Sequence, residues 1–424
     1  MKAKVYPIDD NTKLETIHAS ASSFCSLIEI IAASLAKGQT RIRNIAKSDE
    51  IDVALKWIKS YGASYKYTKT SLIITGVEGK IELKESLLSC PTSRVAKLFI
   101  PILSLAGKPF GIQGHRGVIA RLEKYEKIYS DFGMTVYFEN NVVRFEKSVK
   151  PTVTSIDGDT DISVVAGLMI ALPLLYNDSK LRLIAPIRKE KSYKTILKIL
   201  KRFRVDVKHP STMGYDIDGE QHYYPCIITT ESDEMMLSSL FLMATKLKDG
   251  AMPIRIENYY KNSEECSKLF EYVKKNVVSF KRNRISPRKK QTKIGEMELT
   301  LENTLPFFMI FATTQNLENK ISHVDFSKGR VKFQYQRMES VFMKLNLSCD
   351  YLDNEVLVQP KKVTKKVQVD CQNDPYIAIA LSILATLSDA PIVIKNAQCV
   401  YNINSNFFEL LRSIGIKVDI IDDN

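Results

Sequence analysis

Lysine and arginine are the residues of this sequence whose number and spacing point most directly to chemistry. They total 61 against 48 aspartates and glutamates, so the net charge is +13. The run Lys281–Lys293 holds seven cations and no acid, and Lys361, Lys362, Lys365 and Lys366 form a second cluster. A basic surface attracts nucleic acid, anionic lipid or phosphorylated metabolites, although solvated loops are the commoner explanation of such runs.

Cysteine and histidine do not show the spacing of a metal site. The seven cysteines are scattered with no pair at Cys-x-x-Cys spacing, and the five histidines are isolated. We therefore expect buried thiols outside any disulfide framework, no metal and no cofactor.

The start of the chain and its apolar stretches predict neither export nor membrane insertion. Met1 is followed by Lys-Ala-Lys-Val-Tyr-Pro without an apolar signal core, and the longest apolar stretches, such as Val164–Leu175, are too short to cross a bilayer. We expect a soluble, cytoplasmic protein that does not bind membranes. Its 424 residues are enough for two or three domains.

The elements that must position any functional side chain recur about every 70 residues. Apolar helical stretches begin near six positions: Phe24, Ser93, Asp161, Asp233, Asn303 and Asp374. Each is followed by a short β-type run, an amphipathic helix such as Asp49–Tyr61, and further extended segments. A helix that is apolar on nearly all sides must be buried on nearly all sides. The pattern predicts an α/β fold of six repeated βαβαββ-type units.

Four local motifs within this repeat resemble the EPSP synthase (3-phosphoshikimate 1-carboxyvinyltransferase) family. Ser20–Gly38 looks like the family's first helix, and Asn44–Glu50 like its Asn-x-x-x-Ser-Asp-Asp segment. Lys191-Ser-Tyr193 is similar to its Lys-x-Tyr motif, and Cys399–Glu409 to its final Cys-x-x-Lys-x-x-x-Asp-Phe/Tyr-Phe-Glu stretch. The resemblance covers almost the whole chain.

The resemblance implies an inside-out α/β barrel in each of two domains. Residues 17–229 would hold units one to three, and residues 1–16 with 230–424 would hold units four to six. It also implies enolpyruvyl transfer from phosphoenolpyruvate to shikimate 3-phosphate, a step of aromatic amino acid biosynthesis, in a cleft that closes between the domains. We expect a monomer whose partners are anionic small molecules, clamped by lysine and arginine, while a carboxylate and a lysine move protons.

Seven residues keep or approximate positions that the resemblance assigns to substrate binding. They are Lys97, Arg116, Arg121, Ser163, Tyr193, Lys332 and Arg337. Lys97 is a conservative replacement for an arginine, and Arg116 and Arg121 lie in the segment that supplies phosphoenolpyruvate-binding arginines. The alternative to substrate binding is that Tyr193 is a packing residue and that Lys97 and the arginines are solvated charges.

Other family positions carry different residue types. The departures are Ser23 for lysine, Ile28 for arginine, Asp161-Ile-Ser163 for Ser-Ser-Gln, Phe333 for glutamate, Tyr376 for the arginine of Asp-His-Arg, and Asn402 for a late lysine. The catalytic aspartate has no clear counterpart, so the catalytic residues are unknown. Each lost contact to a charged substrate group costs about 1.5–3 kcal/mol.

Three functions therefore remain open. The chain is a carboxyvinyltransferase, or a non-catalytic homologue that acts as a binding or interaction protein, since fold and function separate readily. The third is an altered enzyme that uses new acids: Glu29, Asp161, Glu296 and Glu298. The run Lys281–Lys293 is expected on a mobile loop, and any nucleic acid there would be held through its phosphates without sequence preference.

Overall fold

The computed structural model of the protein describes residues 1–9, 12, 14, 16–158, 160–184, 190–211, 214–246, 253–261, 268–287, 296–298, 304–314, 319–327 and 329–422. The chain divides into two compact units. Domain A is Ala21–Glu231, and domain B is Met1–Ser20 with Ser232–Asn424. These boundaries lie within four residues of the division at 16/17 and 229/230 that the sequence suggested.

The helices and strands follow one another in a repeating order. From the N-terminus through domain A they are β1 (Lys2–Val5), β2 (Ile17–His18), α1 (Ser23–Leu35), β3 (Gln39–Arg43), α2 (Asp49–Ser60), β4 (Ser64–Tyr67), β5 (Ser71–Thr75), β6 (Leu87–Ser89), α3 (Ser93–Ser104), β7 (Phe110–Gln113), α4 (Arg116–Glu123), α5 (Glu126–Asp131), β8 (Thr135–Glu139), β9 (Val142–Glu146), β10 (Val153–Ile156), α6 (Ile162–Ala171), β11 (Ser179–Leu183), α7 (Glu190–Arg202), β12 (Val207–Ser211), β13 (Gly214–Ile217) and β14 (Ile227–Thr229). The remaining elements of domain B are α8 (Glu234–Met243), β15 (Ile254–Glu257), α9 (Lys268–Asn276), β16 (Val278–Lys281), β17 (Arg284–Pro287), β18 (Glu296–Glu298), α10 (Leu305–Thr313), β19 (Asn319–Ser322), α11 (Gly329–Leu345), β20 (Cys349–Leu352), β21 (Glu355–Val358), β22 (Val367–Asp370), α12 (Pro375–Leu387), β23 (Ile392–Lys395), α13 (Phe407–Ser413) and β24 (Val418–Ile421).

Six four-stranded sheets with one shared topology are formed by the described residues. In unit two, β6 pairs in parallel with β7 across α3, β7 pairs antiparallel with β9, and β9 pairs antiparallel with β8. The other five sheets repeat this order. The predicted six-unit α/β fold is confirmed.

Three of the six sheets in the described chain take a strand from distant sequence. The N-terminal strand β1 lies between β23 and β24, and so completes unit six. Strand β2 pairs in parallel with β15 of unit four, while β14 returns to pair in parallel with β3 of unit one. Each domain therefore closes on a strand that is far away along the chain.

The first helix of each unit is the buried one, as its composition predicts. These helices are α1, α3, α6, α8, α10 and α12, and each starts within two residues of the position expected from the sequence. Every residue of α6 after Ile162 is buried. Helices α3 and α6 cross closely at Gly167, where an added Cβ would lie 2.6 Å from the carbonyl oxygen of Leu98.

The basic run Lys281–Lys293 begins as a β-hairpin, which corrects the expected loop as far as Pro287. Strands β16 and β17 pair antiparallel, and Arg282 and Asn283 make the turn with φ of 50° and 56°. The reason is that Ile285 is fully buried in the core, while the preceding cations Lys281, Arg282 and Arg284 are exposed. Residues 288–293 lie outside the described residues.

Candidate functional site

Aspartates of the chain itself cap three of the described buried helices. Asp161 accepts a hydrogen bond from the first turn of α6, Asp233 from that of α8, and Asp374 from that of α12. Exposed N–H groups and the helix dipole make a helix N-terminus a site for anions. At these three helices, an external anion would meet a carboxylate that is already in place.

The predicted site residues Lys97 and Ser163 meet at Asp161. Lys97 Nζ lies 2.8 Å from Asp161 Oδ2, and the Ser163 N–H donates to Asp161 Oδ1 at 2.9 Å. The Lys97 side chain is 6% exposed, and its ammonium also lies 4.8 Å from the ring centroid of Tyr125. An anionic ligand could reach Lys97 only in competition with Asp161.

The close crossing of α3 and α6 explains why this ion pair forms. Because Gly167 has no side chain, the α6 backbone approaches the carbonyl groups of Lys97 and Leu98. Lys97 is thereby placed near the start of α6, where Asp161 serves as the N-cap. The sequence predicted Lys97 and Ser163 as binding residues but carried no sign that Asp161, 64 positions from Lys97, would pair with it.

A second ion pair of the same kind occurs within domain B. Arg337, on α11, lies 3.7 Å from Asp374 Oδ2, and its guanidinium carbon is 3.9 Å from the ring centroid of Phe333. Asp374 is also the N-cap of α12, with N–H groups of Tyr376 and Ile377 donating to Oδ1. In each domain, therefore, a cation predicted to bind substrate is paired with the carboxylate that caps a buried helix.

Helix α11 also presents buried polar atoms without a hydrogen-bond partner among the described residues. They are Oε1 and Nε2 of Gln334 and Nε of Arg337. The two residues are three positions apart and so are neighbours on one helix face. Because a buried polar group without a partner costs about 1–3 kcal/mol, such a cluster calls for a functional explanation. No sequence motif marks Gln334, which is only 1% exposed.

The remaining predicted residues lie on α4, α11 and α7. Arg116 and Arg121 are exposed on α4, and Lys332 is exposed on α11. Five positions on a helix turn the direction of the side chain by about 140°, so the two arginines leave α4 on different sides. Tyr193 is buried in domain A, where its ring stacks on Tyr215 at a centroid distance of 5.5 Å.

Among the acids considered for an altered enzyme, Glu29 has an unusual environment. Burial raises the pKa of its carboxyl group to about 8, and Thr230 Oγ1 donates a hydrogen bond to it at 2.5 Å. Glu29 is therefore protonated at neutral pH. Glu296 and Glu298 belong to β18, but their side chains are outside the described set.

The replaced family positions are mainly apolar or enclosed. Ile28 is fully buried in α1, Tyr376 is 7% exposed at the start of α12, and Ser23 is buried with no hydrogen-bond partner for its hydroxyl among the described residues. Asn402 is half-buried. The positive charge that the resemblance would place at these positions is absent from the side chains found there.

The described parts of the chain show no metal cluster, no membrane-spanning helix and no disulfide bond. No group of three or more histidine, cysteine, aspartate or glutamate side chains is arranged to hold a metal ion there. None of the described helices has the length and apolar character needed to cross a membrane. Of the six described cysteines none is in a disulfide: Cys25, Cys90, Cys371 and Cys399 are buried, and Cys226 and Cys349 are half-buried.

Comparison with known proteins gives consistent results along the chain. A family profile described as EPSP synthase (3-phosphoshikimate 1-carboxyvinyltransferase) matches residues 11–411. A 3-phosphoshikimate 1-carboxyvinyltransferase of Clostridium perfringens is 24% identical over 400 residues, covering 91% of this chain and 92% of the relative.

Solved structures show the same fold at lower identity. EPSP synthase from Acinetobacter baumannii aligns with a TM-score of 0.77 and 15% identity over 100% of both chains. The enolpyruvyl transferase NikO from Streptomyces tendae aligns with a TM-score of 0.75 and 13% identity, covering 99% of this chain and 98% of its own.

Proposed function

Because this chain belongs to the EPSP synthase family, we propose that it is a carboxyvinyltransferase that moves the enolpyruvyl group of phosphoenolpyruvate to the hydroxyl of 3-phosphoshikimate. The observation that carries the proposal is the family match over residues 11–411, which runs through all six units. The curated relative from Clostridium perfringens bears the name of this activity. The monomeric state and the cytoplasmic location expected from the sequence belong to the same proposal.

In this proposal Lys97 and Arg337 are the cations that receive the anionic substrates. Each is held at present by a carboxylate, Lys97 by Asp161 at 2.8 Å and Arg337 by Asp374 at 3.7 Å. Substrate must replace or share these contacts, and a hydrogen bond to a charged group contributes about 1.5–3 kcal/mol. We therefore expect weak substrate binding and a slow reaction compared with a site whose cations have no competing carboxylate.

Gln334 and Arg337 would supply further contacts to bound substrate. Among the described residues, one buried acceptor on Gln334 and one buried donor on each of Gln334 and Arg337 have no hydrogen-bond partner. A hydroxyl or carboxylate oxygen placed beside them would satisfy groups that otherwise carry a desolvation cost. Binding should therefore depend on Gln334, although the sequence motif did not mark it.

The test is to mix the purified protein, at a concentration equal to that of the substrates, with phosphoenolpyruvate and 3-phosphoshikimate. We expect release of inorganic phosphate and a new product carrying the enolpyruvyl group, identified by mass spectrometry. Lys97→Met and Arg337→Met should lower the rate. Lys208→Met, which removes an exposed cation paired with Asp218, is the matched control and should leave it unchanged. No product at stoichiometric protein would reject the proposal.

A second candidate, a non-catalytic binding protein, is favoured by one observation. The two buried or half-buried cations at predicted site positions are already neutralised within the chain, so this part of the fold is charge-balanced without a substrate. The discriminating experiment is complementation of a bacterial strain that lacks its own 3-phosphoshikimate 1-carboxyvinyltransferase. Growth without aromatic amino acids supports the transferase. No growth, together with calorimetric binding of 3-phosphoshikimate, supports the binding protein.

A further inference from the structure

Two cysteines of domain B are in direct contact. The Sγ atoms of Cys371 and Cys399 lie 3.6 Å apart, although the residues are 28 positions apart in the sequence. Cys371 follows strand β22, and Cys399 lies in the short helical turn Ala397–Asn402. Cys371 is fully buried and Cys399 is 6% exposed.

Backbone contacts hold the Cys371 sulfur beside Cys399. The thiol of Cys371 donates to the carbonyl oxygen of Lys395 at 3.0 Å and also lies 3.3 Å from that of Asn396. A disulfide bond has an S–S distance of about 2.05 Å, so the two sulfurs must approach by about 1.5 Å. Side-chain rotation about the Cα–Cβ bonds can supply a movement of this size without moving an entire element. The sulfurs are thus positioned for a covalent bond.

We propose that Cys371 and Cys399 are the site of an intramolecular disulfide, formed by exchange with a low-molecular-weight disulfide such as glutathione disulfide. The thiolate of Cys399, the more exposed of the two, attacks one sulfur of the small disulfide and releases one thiolate, leaving a mixed disulfide. The thiolate of Cys371 then attacks the Cys399 sulfur and releases the second small thiol. Two protein thiols are oxidised, one small disulfide is reduced to two thiols, and the two protons go to solvent or to the leaving thiolates.

The environment makes this reaction slow but its product favoured. The contact with Cys371 and burial both raise the pKa of Cys399, so little of it is thiolate at neutral pH. Exchange needs the thiolate, and its rate therefore rises with pH. Once the mixed disulfide exists, the Cys371 sulfur is already beside it, which favours closure over release. Simple packing of two small apolar side chains, the alternative, predicts no exchange under native conditions.

The cross-link would fix the segment that carries Asp374. Cys371 precedes Asp374 by three residues, and Cys399 precedes Asn402 by three. A bond between the two cysteines would tie the N-cap of α12, which pairs with Arg337, to the turn Ala397–Asn402. The inference does not depend on the proposed transferase activity, because its test measures a covalent bond.

The experiment incubates the folded protein with excess glutathione disulfide, quenches it with acid, alkylates the remaining thiols and digests it with trypsin. Cleavage after Lys366, Lys395 and Arg412 puts the two cysteines on separate peptides, 367–395 and 396–412. We expect these peptides to appear joined, two mass units lighter than the sum of the two reduced peptides. Formation should be about 30-fold faster at pH 8.5 than at pH 7.0, in proportion to the thiolate fraction.

Variants separate this bond from other oxidation. Cys399→Ala should abolish the joined peptides, and Cys226→Ser, which removes a half-buried cysteine of domain A, should leave their yield unchanged. The oxidised protein should also melt at a higher temperature than the reduced protein, and dithiothreitol should reverse the shift. The proposal is wrong if glutathione disulfide modifies Cys226 while Cys371 and Cys399 both remain free for alkylation. It is also wrong if Cys399 forms the mixed disulfide with glutathione and no bond to Cys371 follows.

Discussion

Replacement of Asp161 by asparagine tests whether a carboxylate of the chain competes with substrate for Lys97. Asparagine has nearly the same shape and keeps an oxygen for the Ser163 N–H, so the cap of α6 should survive. The change removes one negative charge 2.8 Å from Lys97 Nζ. Since the Lys97 side chain is only 6% exposed, the folded protein should lose the charge-assisted part of this bond. We expect a loss of about 1.5–3 kcal/mol in the free energy of unfolding.

The same change should strengthen the binding of an anion. A phosphate oxygen in contact with Lys97 would lie about 6 Å from the Asp161 carboxylate, and Asp161 is 25% exposed, which places the effective dielectric constant between that of a protein surface and that of water. At a dielectric constant of about 40, two unit charges about 6 Å apart repel by about 1.4 kcal/mol. Removal of that repulsion should lower the dissociation constant for phosphate or phosphoenolpyruvate about tenfold.

Isothermal titration calorimetry at low salt measures the affinity, and urea unfolding measures the stability. Asp216→Asn is the matched control, because Asp216 pairs with Arg182 at 2.9 Å in the same domain but both side chains are partly exposed. An exposed pair of this kind contributes about 1 kcal/mol or less, and its loss should not change anion affinity. Equal anion affinity for Asp161→Asn and the parent protein would refute the competition between Asp161 and substrate.

Three further substitutions test other parts of the structure. Gly167→Ala would put a Cβ 2.6 Å from a backbone oxygen of α3 and should lower the free energy of unfolding in urea by about 1–3 kcal/mol. Gly329→Ala is the control, because nothing lies within 4 Å of its added Cβ, and it should cost almost nothing. Equal effects would contradict the close crossing of α3 and α6. Burial raises the pKa of Glu29 to about 8, so from pH 4.5 to 8 the folded state keeps a proton that the unfolded state releases, and stability falls as pH rises. Glu29→Gln should remove this fall of about 1.4 kcal/mol per pH unit, and unchanged pH dependence of the urea midpoint would show that Glu29 is ionised in the fold. Tyr193→Phe keeps the ring stack on Tyr215 and should change the free energy of unfolding by less than about 0.5 kcal/mol. A changed KM in this variant would therefore identify the Tyr193 hydroxyl as a substrate contact. An unchanged KM would leave packing as the role of Tyr193.

The sequence predicted the buried helices because their apolar residues leave no polar face. Helix α6 begins one residue after the expected position, Asp161, and α3 begins at the expected Ser93. Strands that complete a distant unit were harder to place: β2 and β14 are two and three residues long, so they carry almost no periodic signal. Their parallel pairing with β15 and β3 depends on tertiary contacts that no local pattern records.

The side-chain partners at the candidate site were beyond the reach of motif comparison. Lys97 was predicted to bind substrate because its position matches a family arginine, but the ion pair that would limit this role comes from Asp161, a residue of another unit. The contact between Cys371 and Cys399 likewise joins two segments whose spacing has no diagnostic value. In the basic run, the density of charge suggested a loop and concealed the buried Ile285 that makes a strand.

The most direct test of the proposed function follows a labelled enolpyruvyl group. Phosphoenolpyruvate carrying carbon-13 in its vinyl group is mixed with 3-phosphoshikimate and a stoichiometric amount of protein, and the products are read by carbon-13 nuclear magnetic resonance. We predict that the label appears in a vinyl ether on the acceptor, slowly for the parent protein, and more slowly still for Lys97→Met. If all label remains in phosphoenolpyruvate after many hours, while calorimetry shows the acceptor bound, the chain is a binding protein and the proposed transfer does not occur.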